Sequence, residues 1–314
     1  VADIGIPREI IYKRKVTTFR LDPDELDPSV FLRLPDSHKG TYGHTLIIGA
    51  STGKTGAVAL SAMAAMRIGA GLCTAAIPAS LNEIMEAKIT EAMTIPLSGD
   101  KPGIISASAV GEVLRLIDEL RISAIALGPG LGTDASSVEF VRELLPKIDG
   151  IPVVLDADGI NALKGCGQVL QELECPIVLT PHPKEFSRVS GLEMADIMND
   201  RLGTARKFAQ SNKATVVLKS ARTIIAAPDG TAFINVTGNA GMASGGTGDV
   251  LTGIIAGLAG QGVPLVEAAK LGVYLHGLAG DISADAVGES SLIASDIIEV
   301  LPESIAELTG LNRD

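Results

Sequence analysis

Residues 44–78 read HTLIIGASTGKTGAVALSAMAAMRIGAGLCTAAIP. A short apolar run ends in small residues, an alanine-rich segment of helical length follows, and a second apolar run, LCTAAIP, closes the unit. Strand, helix and strand at this spacing predict a βαβ unit, because two parallel neighbours need a long crossover between them. The rhythm recurs. SAIALG (123–128) precedes ASSVEFVRELLPKI (135–148), and PVVLDAD (152–158), PIVLTP (176–181) and TVVLK (215–219) add further strand-like runs. The fold class is therefore α/β, a mainly parallel sheet with helices on both faces, and ligands are expected beyond the carboxyl ends of its strands. Residues 215–236 depart from this pattern. TVVLK, RTIIAA and TAFINV are three strand-like runs with APDGT as a turn between the last two, which predicts antiparallel pairing. From residue 250 onward three helical stretches form a closing bundle. Residues 1–22, with REIIYKRKVTTFRL, read as an N-terminal arm, and residues 23–314 as a single domain.

Composition narrows the function. The 314 residues are 46% hydrophobic, enough for a substantial core. A formal net charge of −11 opposes nucleic acid and anionic membrane as partners, so an anionic ligand must meet a local positive site. Aromatic residues make up 3% and tryptophan is absent, which argues against a base-stacking surface for single strands. The most apolar stretch carries Arg67 and several glycines, so no membrane span is expected. Cys73, Cys166 and Cys175 show no C-x-x-C spacing and are expected as free thiols in a reducing, cytoplasmic setting.

The chemistry concentrates in residues 235–260, NVTGNAGMASGGTGDVLTGIIAGLAG. Gly238, Gly241, Gly245, Gly246 and Gly248 precede an apolar helix whose first turn carries one acid, Asp249. Glycines let the backbone approach a ligand closely, and the unpaired N–H groups of a helix start attract anions. Amides around a single carboxylate point to phosphoryl transfer, with Asp249 taking the proton of an attacking hydroxyl. A competing phosphate loop, GASTGKT at 49–55, fails on spacing. Only Ala50, Ser51 and Thr52 separate Gly49 from Gly53, and Ile48 stands where the first glycine would be needed.

Several motifs in one order, HKGTYGHTLIIGAS (38–51), GPGLG (128–132), LDADGINAL (155–163), LTPHPKEF (179–186), VVLKSARTIIAAPDG (216–230) and NAGMASGGTGDVLTGIIAGL (239–258), resemble the ADP- or ATP-dependent NAD(P)H-hydrate dehydratases. The resemblance spans about residues 35–305 and implies a ribokinase-like three-layer sandwich with some antiparallel strands. VADIGIP at 1–7 also resembles the last strand of the epimerase domain that precedes the dehydratase in some members. The implied reaction phosphorylates the C6 hydroxyl of hydrated NADH or NADPH and eliminates phosphate. Asp249 would be the catalytic base, and Ala57, Gly130, His182 and Asp249 would contact the hydrated dinucleotide. Nucleotide would lie on Lys219, Ser220, Ala221, Arg222 and Thr223, and on Asn239, Ala240, Gly241, Met242, Ala243, Ser244, Gly245, Gly246, Thr247 and Gly248. Glu185, three residues after His182, would hold Mg²⁺ through water, with Asp156 and Asp158 also in reach of the ion. Other readings stand beside these: Ala57 as a small residue at a helix start, Gly130 as a turn former, His182 as structural, Arg222 as solvated, and Asp158 as a helix N-cap. The family commonly forms tetramers or larger assemblies, so a homo-oligomer is expected. A ribokinase-like small-molecule kinase, with the same base and a stable phosphorylated product, is the alternative activity.

Overall fold

The computed structural model describes residues 16–310. Ten strands form one sheet: β1 (Thr18–Arg20), β2 (His44–Ile48), β3 (Leu72–Pro78), β4 (Met93–Leu97), β5 (Ala124–Leu127), β6 (Val153–Leu155), β7 (Ile177–Leu179), β8 (Thr215–Leu218), β9 (Ile224–Ala226) and β10 (Ala232–Ile234). Their order is β1-β10-β9-β8-β7-β6-β5-β2-β3-β4. Only β9 runs against the others, antiparallel to both β8 and β10, so the expected reversal after residue 215 is present. The helices are α1 (Thr55–Arg67), α2 (Asn82–Glu86), α3 (Val110–Glu119), α4 (Ala135–Leu144), α5 (Ala157–Ala162), α6 (Pro183–Ser190), α7 (Met194–Asn199), α8 (Arg201–Asn212), α9 (Thr247–Gly260), α10 (Leu265–Val287) and α11 (Ala294–Thr309).

Successive strand residues point to opposite faces, and here both faces are apolar. Ile47, Ala75, Ala126, Val154, Val178 and Val217 pack under α1 and α9 to α11. Their neighbours Leu46, Ile48, Ala76, Ile125, Leu127, Val153 and Leu155 pack with residues of α3 to α8. Two helical layers thus enclose the sheet, the three-layer sandwich implied by the motifs. Residues 18–20, read from the sequence as part of an arm, pair in parallel with β10 at the sheet edge, and the adjoining Leu21 is fully buried. Residues 1–15, where VADIGIP falls, lie outside the described residues.

Two features place the functional edge. The chain runs from β2 outward to β3 and β4, then returns to the other side of β2 with β5, so β2 and β5 form a switch point where a crevice opens beyond the strand ends. The two loops that leave this point are laced together: the Ala50 N–H donates to the Pro129 carbonyl at 2.9 Å, and the Ser51 hydroxyl donates to the Gly130 carbonyl at 2.8 Å. Ala50 is held at φ 66°, a left-handed conformation unusual for a residue with a Cβ.

The second feature is α9, which packs directly on α1. A Cβ at Gly253 would collide with the Ser61 carbonyl, and one at Gly257 would crowd Ala65 and Ile68. Backbone-to-backbone packing of this kind fixes the height of α9 over the sheet, and the Ser61 hydroxyl adds a 2.8 Å hydrogen bond to the Asp249 carbonyl. Gly253→Val should overpack the contact at a cost of about 3 kcal/mol or more, read as a lowered Tm with the oligomeric state checked in parallel.

Candidate active site

Asp249 occupies the third position of α9, whose N-cap, Gly246, takes φ 97°. The Thr247 hydroxyl folds the preceding loop onto the helix, donating to the carbonyls of Met242 (2.9 Å) and Ser244 (3.1 Å). Among the described residues, the N–H groups of Gly245 and Gly246 meet no main-chain acceptor, and the first N–H groups of any helix lack an internal one. These donors, together with a partly exposed carboxylate, line one patch at the carboxyl edge of the sheet.

Behind this patch lies a buried polar cluster built on Asp156, the N-cap of α5 at the end of β6 and only 1% exposed. Its Oδ1 accepts the Thr180 hydroxyl from the end of β7 at 2.7 Å and the Lys219 ammonium from the end of β8 at 2.9 Å. Its Oδ2 accepts the Thr252 hydroxyl, three residues along α9 from Asp249, at 2.7 Å. Lys219 is therefore an ion-paired cation at the base of the loop, not a free one, and its Nζ lies beside Gly248. Burial on its own would lower the lysine pKa. The charges of Asp156, Glu185 and Asp249 and the hydrogen bond to Asp156 outweigh that effect and leave it raised.

Asp249 responds in the opposite sense. Its carboxyl is pushed up to about 7, first by burial and then by the negative charges of Asp156, Asp158 and Glu185, with Lys219 pulling the other way. Among the described residues, no hydrogen bond to the carboxylate offsets these effects. A carboxyl poised near neutrality, with its oxygens unclaimed, suits proton abstraction.

The remaining candidates gather on the same edge. Gly130 has φ 62°, and a Cβ there would press on the Lys54 carbonyl and approach the Ala57 methyl at 3.1 Å, so these two predicted contact residues are neighbours. Asp158 is the second residue of α5, with Asp156 as the N-cap; its Oδ2 takes the Gly132 N–H at 2.8 Å and the Lys54 ammonium at 3.0 Å. That is a different structural role from the N-cap considered for it. His182 is the N-cap of α6: its Nδ1 accepts the N–H groups of Lys184 (3.1 Å) and Glu185 (3.3 Å), while Glu185 returns to accept the His182 N–H at 2.9 Å. Those bonds hold Nδ1 unprotonated and put the ring proton on Nε2, and burial, followed by the opposing pull of Glu185 and the push of Lys219, leaves the histidine pKa lowered. The backbone ties this element to the cluster, since the Lys219 N–H donates to the Pro181 carbonyl at 2.8 Å.

The turn of Ser220, Ala221, Arg222 and Thr223 joins β8 to β9. Arg222 stands exposed at φ 60°. Asn239 spends its side chain inside the loop: Oδ1 accepts the Gly241 N–H at 3.0 Å, and Nδ2 donates to the Gly280 carbonyl (2.8 Å) and Asp281 (3.0 Å). Asp281, which the motifs did not single out, also accepts the Gly238 N–H at 2.8 Å and so anchors the glycine loop on α10. Another unforeseen residue is His276, whose Nε2 donates to the Thr247 carbonyl at 2.9 Å; burial pushes its pKa down to about 4 and keeps the ring neutral. Neither residue belongs to a glycine-rich or acidic motif, which is why the sequence did not expose them.

The sandwich, the lone acid and the glycine loop define a ribokinase-like protein. A ribokinase-like superfamily protein of Enterococcus faecalis superposes with a TM-score of 0.78 at 29% identity, covering 93% of this chain and 96% of that one. Within that class, the chain belongs to the NAD(P)H-hydrate dehydratase family, whose model matches residues 45–303. The ADP-dependent (S)-NAD(P)H-hydrate dehydratase of Neisseria meningitidis is 37% identical over 86% of this chain and 88% of its own length. The bifunctional NAD(P)H-hydrate repair enzyme Nnr of Moorella thermoacetica is 44% identical over 100% of this chain, which spans 60% of that relative. The ADP/ATP-dependent NAD(P)H-hydrate dehydratase of Bacillus subtilis, co-crystallized with ATP/Mg²⁺, has a TM-score of 0.77 at 31% identity, with 92% and 98% of the two chains covered.

Because the fold raises the Asp249 pKa, the neutral form is favoured, and ionisation costs stability as pH climbs from the ordinary carboxyl range through about 7. Asp249→Asn should therefore match the wild type in stability near pH 4 and exceed it at pH 8 by on the order of 2–4 kcal/mol, measured by denaturant melts at both pH values. Gly245→Ala should leave Tm unchanged, since a Cβ there meets nothing within 4 Å, yet raise KM for nucleotide if that loop carries the phosphate.

Proposed function

We propose that this chain catalyses the nucleotide-dependent dehydration of hydrated NADH and NADPH, returning them to the active cofactors. The observation that carries the reading is the unbonded Asp249 carboxylate, lifted to a pKa of about 7, beside the open amides at the start of α9. Hydrated NAD(P)H bears a hydroxyl on C6, a poor leaving group. In the first step that hydroxyl oxygen attacks the terminal phosphorus of ADP or ATP, its proton passes to Asp249, and AMP or ADP departs. In the second step the C6–O bond to phosphate breaks, the ring nitrogen supplying electrons, and loss of a proton from C5 restores the ring double bond. The amides of Gly245 to Gly248 oppose the charge that builds on the transferring group, each donor being worth roughly 3–4 kcal/mol of barrier.

In this reading the sugar and nicotinamide side lies over Ala57 and Gly130, which are neighbours, and over His182 at the start of α6. Nucleotide lies over residues 219–223 and 239–248, with Lys219 as the buried positive charge nearest the phosphates. Mg²⁺ fits this donor set as a nucleotide-borne ion. Asp156 is saturated by Thr180, Thr252 and Lys219, and no group of three or more acidic, histidine or cysteine side chains among the described residues forms a cage. Glu185 is the carboxylate that would hold the ion, through water, and the ion would neutralise phosphate charge. The co-crystallisation of the Bacillus relative with ATP/Mg²⁺ supports this assignment. The Neisseria relative is named for ADP, which favours ADP as the physiological donor, and we place the protein in the cytoplasm as a homo-oligomer, tetrameric or larger. The residues preceding Thr18 are proposed to connect to an epimerase domain, as the bifunctional relatives suggest.

Incubation with hydrated NADH, Mg²⁺ and ADP or ATP should restore dihydronicotinamide absorbance with release of phosphate; a stable phosphorylated product would favour the small-molecule kinase instead. Asp249→Asn should lower kcat by at least a thousandfold while nucleotide still binds. Since the base must be ionised, kcat/KM should fall as pH drops through about 7, and a profile flat from pH 5 to 8 would remove Asp249 as the base.

A further inference from the structure

The peptide that joins Thr247 to Gly248 has one end held and the other open. Its N–H belongs to Gly248, the second residue of α9, and among the described residues it meets no main-chain acceptor, as expected in the first turn of a helix. Its carbonyl belongs to Thr247, and there the His276 Nε2–H donates at 2.9 Å. A helical carbonyl spends one lone pair on the ladder and has a second to offer, so this bond adds to the helix and displaces nothing. Because the peptide unit is planar and trans, its C=O and N–H point in opposite directions. Holding the carbonyl therefore fixes the line along which the Gly248 N–H leaves the open end of α9, beside the Lys219 ammonium.

His276 is itself rigidly seated. It stands midway along α10, and its neighbours leave that helix no room to shift: a Cβ at Gly272 would press on Ile255 of α9, one at Gly277 would strike Thr237, and one at Gly280 would strike Met242. The Thr237 hydroxyl also donates to the Tyr274 carbonyl at 2.9 Å. One helix thus braces the loop at residues 237–242 through its packing and the first turn of α9 through a single imidazole. The protonation state is equally defined. Burial, with the charge of Lys219 acting in the same sense, outweighs the bond to Thr247 and brings the pKa to about 4, so the ring is neutral, with its proton on Nε2 and none on Nδ1.

A neutral donor at this place contributes direction and polarisation without a second positive charge next to Lys219. Hydrogen bonds in series reinforce one another: donation to a carbonyl draws electron density from the amide nitrogen and makes the N–H at the far end of the same peptide a stronger donor. Such strengthening matters most when the acceptor is gathering charge, which is the condition of a phosphoryl group in transfer and less that of a resting nucleotide.

We propose that His276 is a positioning residue for the phosphoryl-transfer step: by bonding the Thr247 carbonyl it aims and polarises the Gly248 N–H that faces the transferring group. The inference rests on the dehydratase reading and deepens it, since the imidazole acts through a peptide of the anion-binding turn and not by contact with either substrate.

Three variants test it, each assayed with hydrated NADH, Mg²⁺ and ADP or ATP, and each checked by thermal melt. His276→Leu fills the space and removes the donor; kcat should fall roughly tenfold or more, while KM for nucleotide and for hydrated NADH stays within about threefold of the wild type. His276→Asn, whose amide stops short of the carbonyl, should lose kcat in the same way, and it decides the matter if the leucine variant does not fold. His276→Gln, which carries an N–H to about the reach of Nε2, should recover kcat to within roughly threefold of the wild type. A histidine that only filled space would show no such recovery by glutamine and no separation of kcat from KM. Wild-type kcat in the leucine and asparagine variants, a glutamine variant as impaired as they are, or a loss carried by KM overturns the assignment of His276 alone. If the wild type restores no dihydronicotinamide absorbance with either nucleotide, the dehydratase reading falls and takes this inference with it.

Discussion

A carboxylate with 1% exposure survives in a protein interior only when its oxygens are fully engaged, and Asp156 meets that condition with two hydroxyls and an ammonium. The three donors come from three elements: the end of β7, the end of β8 and the second turn of α9. Satisfying one buried charge therefore fixes the relative positions of the sheet edge, the lysine beside the glycine loop and the helix that carries the base. Removing the acid would leave the Lys219 ammonium without its ion-pair partner and the two hydroxyls with only their longer bonds to the carbonyls of Leu155 and Gly248, a larger loss than that of any one contact.

The same convergence sets the electrostatics. Asp156, Asp158, Asp249 and Glu185 share two lysines, the half-buried Lys219 on Asp156 and the exposed Lys54 on Asp158, so the cluster holds more negative than positive charge before any ligand arrives. Lys219 resolves the nearest of these repulsions by pairing with Asp156. Asp249, farther out and without a hydrogen bond, bears the remainder as a raised pKa. Burial and like charge thus divide two aspartates of similar chemistry into a structural acid and a reactive one.

Much of this was legible in the sequence. Alternating apolar runs gave the parallel sheet and its two helical layers, because strands buried on both faces must be apolar throughout. The reversal at β9 followed from three short runs with a proline-aspartate-glycine turn, and the importance of Asp249 from its isolation among glycines at a helix start. Other parts were hidden. β4 carries Pro96 and half-exposed residues, a pattern tolerated only at an edge and therefore weak as a strand signal. The engagement of Lys219 by Asp156 joins residues 63 apart in sequence, and the anchoring of the glycine loop by Asp281 spans 43. Such pairings depend on tertiary neighbours and leave no periodic trace. For His182 the sequence leaves a ligand contact and a structural role open, and the structure shows the structural one: the imidazole caps α6 and organises the chain around it.

The seating of α9 on α1 has an evolutionary consequence. With glycines pressed against main-chain atoms across that seam, the end of α9 that carries the reactive acid has almost no freedom to drift without disrupting the interior. The loop that follows β4 has its own close glycine contacts, Gly99 against Ile104 and Gly103 against Thr52, but they do not involve the helix that carries the acid. A lineage built on this scaffold can therefore diversify what it recognises by remodelling one rim, while the machinery for moving phosphate is inherited nearly intact.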